Sequence, residues 1–201
     1  MFDAKLRPYI DPVLNRMGGA LASVGIGANV ITVIGMVTGL VGALAIAEGH
    51  TLAGLALVIA NRLLDGLDGA VARATKLTDF GGYLDIVADF VFYIAIPVGF
   101  AFAAPQNLLP AVLLLASFAL TGISFLAFAT IAAKRGLETT AHGAKSFFYN
   151  TGIAEGVETI AVFIAMCLIP QHFGAIAYGY AMICCLTVIQ RSAMAARTFS
   201  E

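Results

Sequence analysis

Six apolar runs, at about residues 26–47, 51–73, 80–104, 107–133, 147–169 and 172–195, take up most of this 201-residue chain. Each is long enough to cross a bilayer's hydrocarbon core, which takes about 20 residues of α-helix. Lipid offers no water to exposed N–H and C=O groups, so such a run closes its own hydrogen bonds as a helix. The pattern therefore predicts an all-α polytopic membrane protein with six transmembrane helices. A chain that is 60% hydrophobic and 11% charged, with mean hydropathy +0.93, is too apolar for a water-soluble domain of this size. No repeat, low-complexity tract or linker divides residues 26–201, which read as one domain behind a juxtamembrane segment at 1–25.

The cationic residues test the span count. Lys5, Arg7 and Arg16 precede the first run, Arg73 and Lys76 lie between the second and third, and Lys134, Arg135 and Lys145 lie between the fourth and fifth. Arg191 and Arg197 end the last run, and Arg62 is intramembrane. The loops around Gly49, Pro105 and Gln171 carry no Lys or Arg. The positive-inside rule then puts both termini and the two basic loops on the cytoplasmic side, as expected of a protein in the cell's inner membrane. The first 25 residues lack the apolar core and small-residue cleavage site of a signal peptide. Cys167, Cys184 and Cys185 all fall within runs without ligand spacing and read as packing residues. A net charge of −1 provides no electrostatic footprint for nucleic acid.

Ahead of the first run, Asp11-Pro12 reads as a helix start. Phe2, Leu6, Ile10, Val13, Leu14 and Met17 recur at helical spacing, which predicts an amphipathic helix on the cytoplasmic membrane surface; a plain polar leader is the alternative. Gly35 and Gly39 offer a small-residue face for close helix approach.

Four aspartates, Asp65, Asp68, Asp85 and Asp89, fall within 25 residues of otherwise membrane-like sequence. Each carboxylate at membrane depth costs about 2.5–3.5 kcal/mol on the insertion scale, so four together point to a site that holds something positive. The second and third runs form a hairpin turning near 76–78. In an antiparallel hairpin, residues at equal depth have a constant sum of numbers, which sets Asp65 level with Asp89 and Asp68 level with Asp85. Spacings of three and four put each pair on one helix face. One acidic pocket near the cytoplasmic mouth is expected, its hard oxygen ligands suited to Mg²⁺, Mn²⁺ or Ca²⁺ rather than zinc, with room for two ions. Gly66, Gly69 and Ala72 remove bulk beside this face. Arg73, at the mouth, has the fork geometry that matches phosphate, or serves as a topological anchor.

The spaced set Asp65, Asp68, Gly69, Ala72, Arg73, Gly81, Asp85 and Asp89 resembles the signature of the CDP-alcohol phosphotransferases. The family is similar to this chain in its six spans, its N-terminal surface helix and an Asn-x-x-Thr element entering the first span. Here that element is Asn29-Val30-Ile31-Thr32, preceded by Ala28 where the family usually has Pro. The resemblance implies that a CDP-linked lipid, usually CDP-diacylglycerol, gives its phosphatidyl group to a small alcohol and CMP leaves. It implies that Asp65, Asp68 and Asp85 bind Mg²⁺ or Mn²⁺, that Asp89 shares the metal or is the general base, and that Gly69, Ala72 and Arg73, with Asn29 and Thr32, hold the cytidine diphosphate. It also implies a homodimer.

The acceptor side is less marked. Lys134, Arg135, Lys145 and Arg191 would suit a phosphorylated alcohol, whereas Glu155 and Glu158 would suit an amino alcohol; Asn150 and Tyr149 could serve either. Arg62, one turn deeper than Asp65, reads as an ion-pair partner of Asp65 or Glu158, or as a polar floor to the acceptor pocket. His142 reads as a solvated loop residue. The rival readings are a divalent-cation transporter, whose ion path the uncharged distal halves do not continue, and an intramembrane prenyltransferase. An aspartyl intramembrane protease would leave two of the aspartates unexplained.

Overall fold

The computed structural model describes residues 3–137 and 152–200, and these are helical almost throughout. In chain order the helices are α1 (Asp3–Ser23), α2 (Ala28–Ala47), α3 (Thr51–Ala74), α4 (Asp79–Ala103), α5 (Leu108–Lys134), α6 (Gly156–Leu168) and α7 (Phe173–Phe199). Short 3₁₀ turns opening with Pro105 and Pro170 lead into α5 and α7. Proline suits a first helical position because its missing N–H would have no helical partner there. Gly25 and Gly49, at φ +83° and +81°, make the turns after α1 and α2.

Among the described residues, α2, α4, α5 and α7 are long and apolar enough to cross a membrane. The 24-residue α3 has the length but carries Arg62, Asp65, Asp68 and Arg73. The 13-residue α6 is shorter than the run from 147 predicts. Residues 152–155 are not helical: the Glu155 side chain turns back to accept from the Gly152 N–H at 2.8 Å, which sets the helix start at Gly156. Side chains on α2 such as Val33, Val37, Val41 and Leu44 are exposed, as helices facing lipid require.

The core is built on close approach. A Cβ at Gly39 would lie 2.7 Å from the Phe92 ring, and one at Gly99 would lie 2.5 Å from the Ala43 carbonyl oxygen. α2 can therefore pack closely against α4, the role expected of its small residues. Below the acidic level, Phe92, Phe118 and Phe163 interlock edge to face, and Phe100 stacks on Phe173 at 4.6 Å.

α1 runs unbroken through Pro8 and Pro12 from Asp3, so Asp11-Pro12 is interior and not a helix start. The helix lies against α3. Leu14 covers Gly66, and Gly18 meets the backbone of Ala70 and Val71. Ile10, Val13 and Met17 remain exposed. Gly66 therefore serves helix docking, not the ligand approach its position suggests, because Leu14 occupies the space its missing Cβ leaves.

Candidate active site

Three helices converge on one cleft. α3 and α4 are the two arms of the hairpin, closed by Thr78, whose hydroxyl accepts from the Gly81 N–H at 3.0 Å as the cap of α4. α2 packs across both. The cleft is lined by Thr32, Gly35 and Met36 of α2, Asn61, Arg62, Asp65 and Asp68 of α3, and Ala88 and Asp89 of α4. The level pairing of Asp65 with Asp89 holds: one guanidinium nitrogen, Arg62 Nη2, lies 2.7 Å from Asp65 Oδ1 and 3.0 Å from Asp89 Oδ1. Of the two partners expected for Arg62, Asp65 is present in this bridge, and Asp89 joins it.

Asp68 is buried, and the Thr32 hydroxyl donates to its Oδ2 at 2.6 Å. This bond ties α2 to α3 at the level of the site. Asp85, one turn nearer the start of α4, is exposed and does not line the cleft. Three of the four aspartates thus share one cavity, and the fourth stands nearer its mouth.

Arg73 is exposed there, donating to the Asn15 side chain of α1 at 3.0 Å. A Cβ at Gly69 would sit 3.3 Å from Arg73 Nη1, so the glycine leaves room for the guanidinium beside the helix. A Cβ at Gly81 would lie 3.3 Å from Asn29 Oδ1, which puts Asn29 at the start of α4. Ala72 is half-buried on the same turn as Arg73.

Among the described residues, no three His, Cys, Asp or Glu side chains form a ready-made metal shell. The donor chemistry nonetheless fits a hard divalent cation. Asp65, Asp68 and Asp89 line one cavity, and Asn61, in the same lining, has a buried Oδ1 with no hydrogen-bond partner while its amide donates to the Gly35 carbonyl at 2.8 Å.

The acceptor-side residues are scattered. Arg191 is buried on α7, its Nη1 donating to the Thr121 carbonyl at 3.0 Å with the Phe125 ring 5.6 Å away. Glu155 is buried at the start of α6 and Glu158 lies in its first turn. Arg135 donates to the Phe199 carbonyl at 2.9 Å, capping the end of α7, and Lys134 is exposed. Lys145, Asn150, Tyr149 and His142 lie outside the described residues.

Sequence reading passed over Asn61 and Tyr93. Each carried a usable signal, standing four residues from Asp65 and Asp89 on the same helix face. The Tyr93 hydroxyl is 3.5 Å from Arg62 Nη1 and would lie 3.5 Å from a Cβ on Gly156, which connects the cleft to the entrance of α6.

A family model described as CDP-alcohol phosphatidyltransferase matches residues 26–191. The chain is 44% identical over 192 residues to the Inner membrane protein YnjF of Escherichia coli, a match covering 95% of this chain and 93% of that one. It is 42% identical over 88 residues to an archaetidylinositol phosphate synthase of Pyrococcus horikoshii, over 43% of this chain and 46% of that protein. Its fold is similar to that of the Mycobacterium tuberculosis phosphatidylinositol phosphate synthase crystallised with CDP-DAG bound, with a TM-score of 0.75 over 92% of this chain and 94% of that one. At 20% identity, that likeness is one of fold.

Proposed function

The chain belongs to the CDP-alcohol phosphatidyltransferase family of phospholipid biosynthesis, and from that membership we propose how its cleft works. It is a transferase of substituted phosphate groups. The donor is a CDP-linked lipid such as CDP-diacylglycerol, the acceptor is a small alcohol, and the nucleotide product is CMP. The observation that carries this reading is the convergence of Asp65, Asp68 and Asp89 on one cleft, with Thr32 and Asn61 in the same lining and Arg73 about one to two turns along α3 from Asp68 and Asp65.

In this reading Asp65, Asp68 and Asp89 would hold Mg²⁺ or Mn²⁺ within the cleft, two ions in all, with the exposed Asp85 adding its carboxylate from the rim. When bound, such a cation neutralises the diphosphate and its leaving group. Arg73, with Gly69 and Ala72 clearing space, holds the diphosphate, and Asn29 and Thr32 border the nucleotide. Asp89 takes the proton of the acceptor hydroxyl. The oxygen bonds to the phosphorus that bears the lipid, the bond from that phosphorus to the bridging oxygen breaks, and CMP leaves with that oxygen. Lys134, Arg135, Lys145 and Arg191 are the cations that would receive a phosphorylated acceptor, and the archaeal relative's name puts inositol phosphate first among acceptors to try.

α3 and α6 complete six spans in this reading, with α1 on the cytoplasmic surface, the cleft and both termini facing the cytoplasm, and two copies forming a homodimer. The inner membrane is its location, supported by the apolar helices and by the name of the Escherichia coli relative. The test offers purified protein, Mg²⁺ or Mn²⁺ and CDP-diacylglycerol a panel of alcohols, including inositol phosphate and glycerol phosphate, and reads CMP release. CMP that appears only with metal and an acceptor supports the proposal. No CMP with any acceptor, together with no cytidine-nucleotide binding, would refute it.

A further inference from the structure

We propose that Arg62 is a tethered counter-ion of the cleft, which bridges Asp65 and Asp89 in the metal-free protein and is displaced when a divalent cation binds there. The inference rests on the reading of Asp65 and Asp89 as metal-holding residues.

The geometry of the pair carries it. A guanidinium usually meets a carboxylate with two nitrogens side by side. Here one nitrogen, Nη2, is shared between Asp65 Oδ1 and Asp89 Oδ1 at 2.7 and 3.0 Å, while the buried Nε has no hydrogen-bond partner. An arginine optimised as a structural strut would use that fork on one acid. Arg62 instead sits between two acids on two helices, on oxygens that a hard cation would take. Guanidinium and cation cannot share that place, because a divalent charge within a few ångströms repels a third positive charge in a medium far less screening than water.

The cleft also provides somewhere for Arg62 to go. Its Nη1 is already 3.5 Å from the Tyr93 hydroxyl, and its central carbon lies 5.2 Å from the Phe92 ring centroid. A hydroxyl acceptor and an aromatic face can hold a guanidinium whose carboxylates have been taken, so release needs a side-chain rotation and no exposure to lipid. Until metal arrives, Arg62 offsets one of the negative charges that would otherwise drive α3 and α4 apart.

The experiment measures Mn²⁺ binding by electron paramagnetic resonance on detergent-purified protein without donor or nucleotide. Arg62→Gln removes the competitor and is expected to bind Mn²⁺ about tenfold more tightly than the parent, within the ~5–150-fold range usual for coupled sites. Arg62→Lys, which keeps the charge but not a planar nitrogen able to bridge both acids, should fall between. Equal or weaker binding by Arg62→Gln would overturn the proposal, since it would mean that Arg62 supports the ion's place and does not fill it. A parent protein that binds no Mn²⁺ would overturn the metal reading as well, which separates the two failures. Should neither variant fold, the parent labelled with ¹⁵N-arginine decides the matter. Mg²⁺ is expected to shift a buried guanidinium signal and quicken its solvent exchange over the concentrations that fill the Mn²⁺ site. No responding arginine would overturn the proposal.

Discussion

Replacing Gly18 by Ala and, separately, Gly19 by Ala tests how α1 is held on α3. The two substitutions are chemically identical and adjacent, but their surroundings differ. A Cβ at Gly18 would lie 2.7 Å from Ala70 Cβ, 2.8 Å from the Ala70 carbonyl carbon and 3.0 Å from the Val71 nitrogen, whereas a Cβ at Gly19 meets nothing within 4 Å. The atoms facing Gly18 belong largely to the α3 backbone and cannot swing aside, so the helices must separate or shift, an overpacking cost of about 1–3 kcal/mol. Both variants gain the same helix propensity, about 1 kcal/mol for Gly to Ala, so it cancels between them. The difference is the steric cost alone, and about 2 kcal/mol corresponds to roughly a 30-fold change in the population of undocked α1. Tryptic cleavage after the exposed Arg16 under native conditions reads that population, because a docked helix is not a protease substrate. Gly18→Ala should be cut about 30-fold faster than Gly19→Ala, in line with the same estimate. Equal rates, or faster cutting of Gly19→Ala, would show that α1 does not dock through the Gly18 contact and would refute the reasoning.

Four other outcomes are expected. Asp89→Asn should abolish CMP release while cytidine-nucleotide binding by calorimetry largely survives; an active variant would remove Asp89 from the role of base. Thr32→Val keeps the side chain's shape but deletes the donor to Asp68, and thermal unfolding of the purified protein should show a loss of about 1–3 kcal/mol that Thr32→Ser recovers. Asn15→Ala should raise the KM for the CDP-linked donor several-fold with little change in kcat, because it frees Arg73; a loss confined to kcat would contradict that placement. Chelation with EDTA should stop CMP release, and Mg²⁺ or Mn²⁺, but not Zn²⁺, should restore it, as hard carboxylate ligands require.

Hydropathy alone marked where the chain is helical. The ends of α2, α3, α4 and α5 fall within a few residues of the apolar runs, because each helix satisfies its own backbone locally and leaves that demand written in consecutive residues. The level pairing of Asp65 with Asp89 was legible for a similar reason, since an antiparallel hairpin with a short turn has one register. The start of α6 was not legible, since it depends on one side chain, Glu155, turning back to the Gly152 N–H. Nor was the resting place of α1, because Leu14 finds Gly66 and Gly18 finds Ala70 across more than 50 residues of chain.

Consecutive residues alone were enough for a helical membrane protein, the register of Asp65 with Asp89, and the residue types from which a phosphoryl-transfer site could be built. Tertiary structure alone decided which groups touch. It gave Arg62 to Asp65 and Asp89 together, set Thr32 against Asp68, left Asn61 Oδ1 without a partner in the lining of the same cleft, and exposed Asp85. Periodicity and charge are local properties of the chain and survive being read in one dimension. The choice of an ion-pair partner is a competition among groups on different helices, settled by distances of a few ångströms that only the packed arrangement of α2, α3 and α4 establishes.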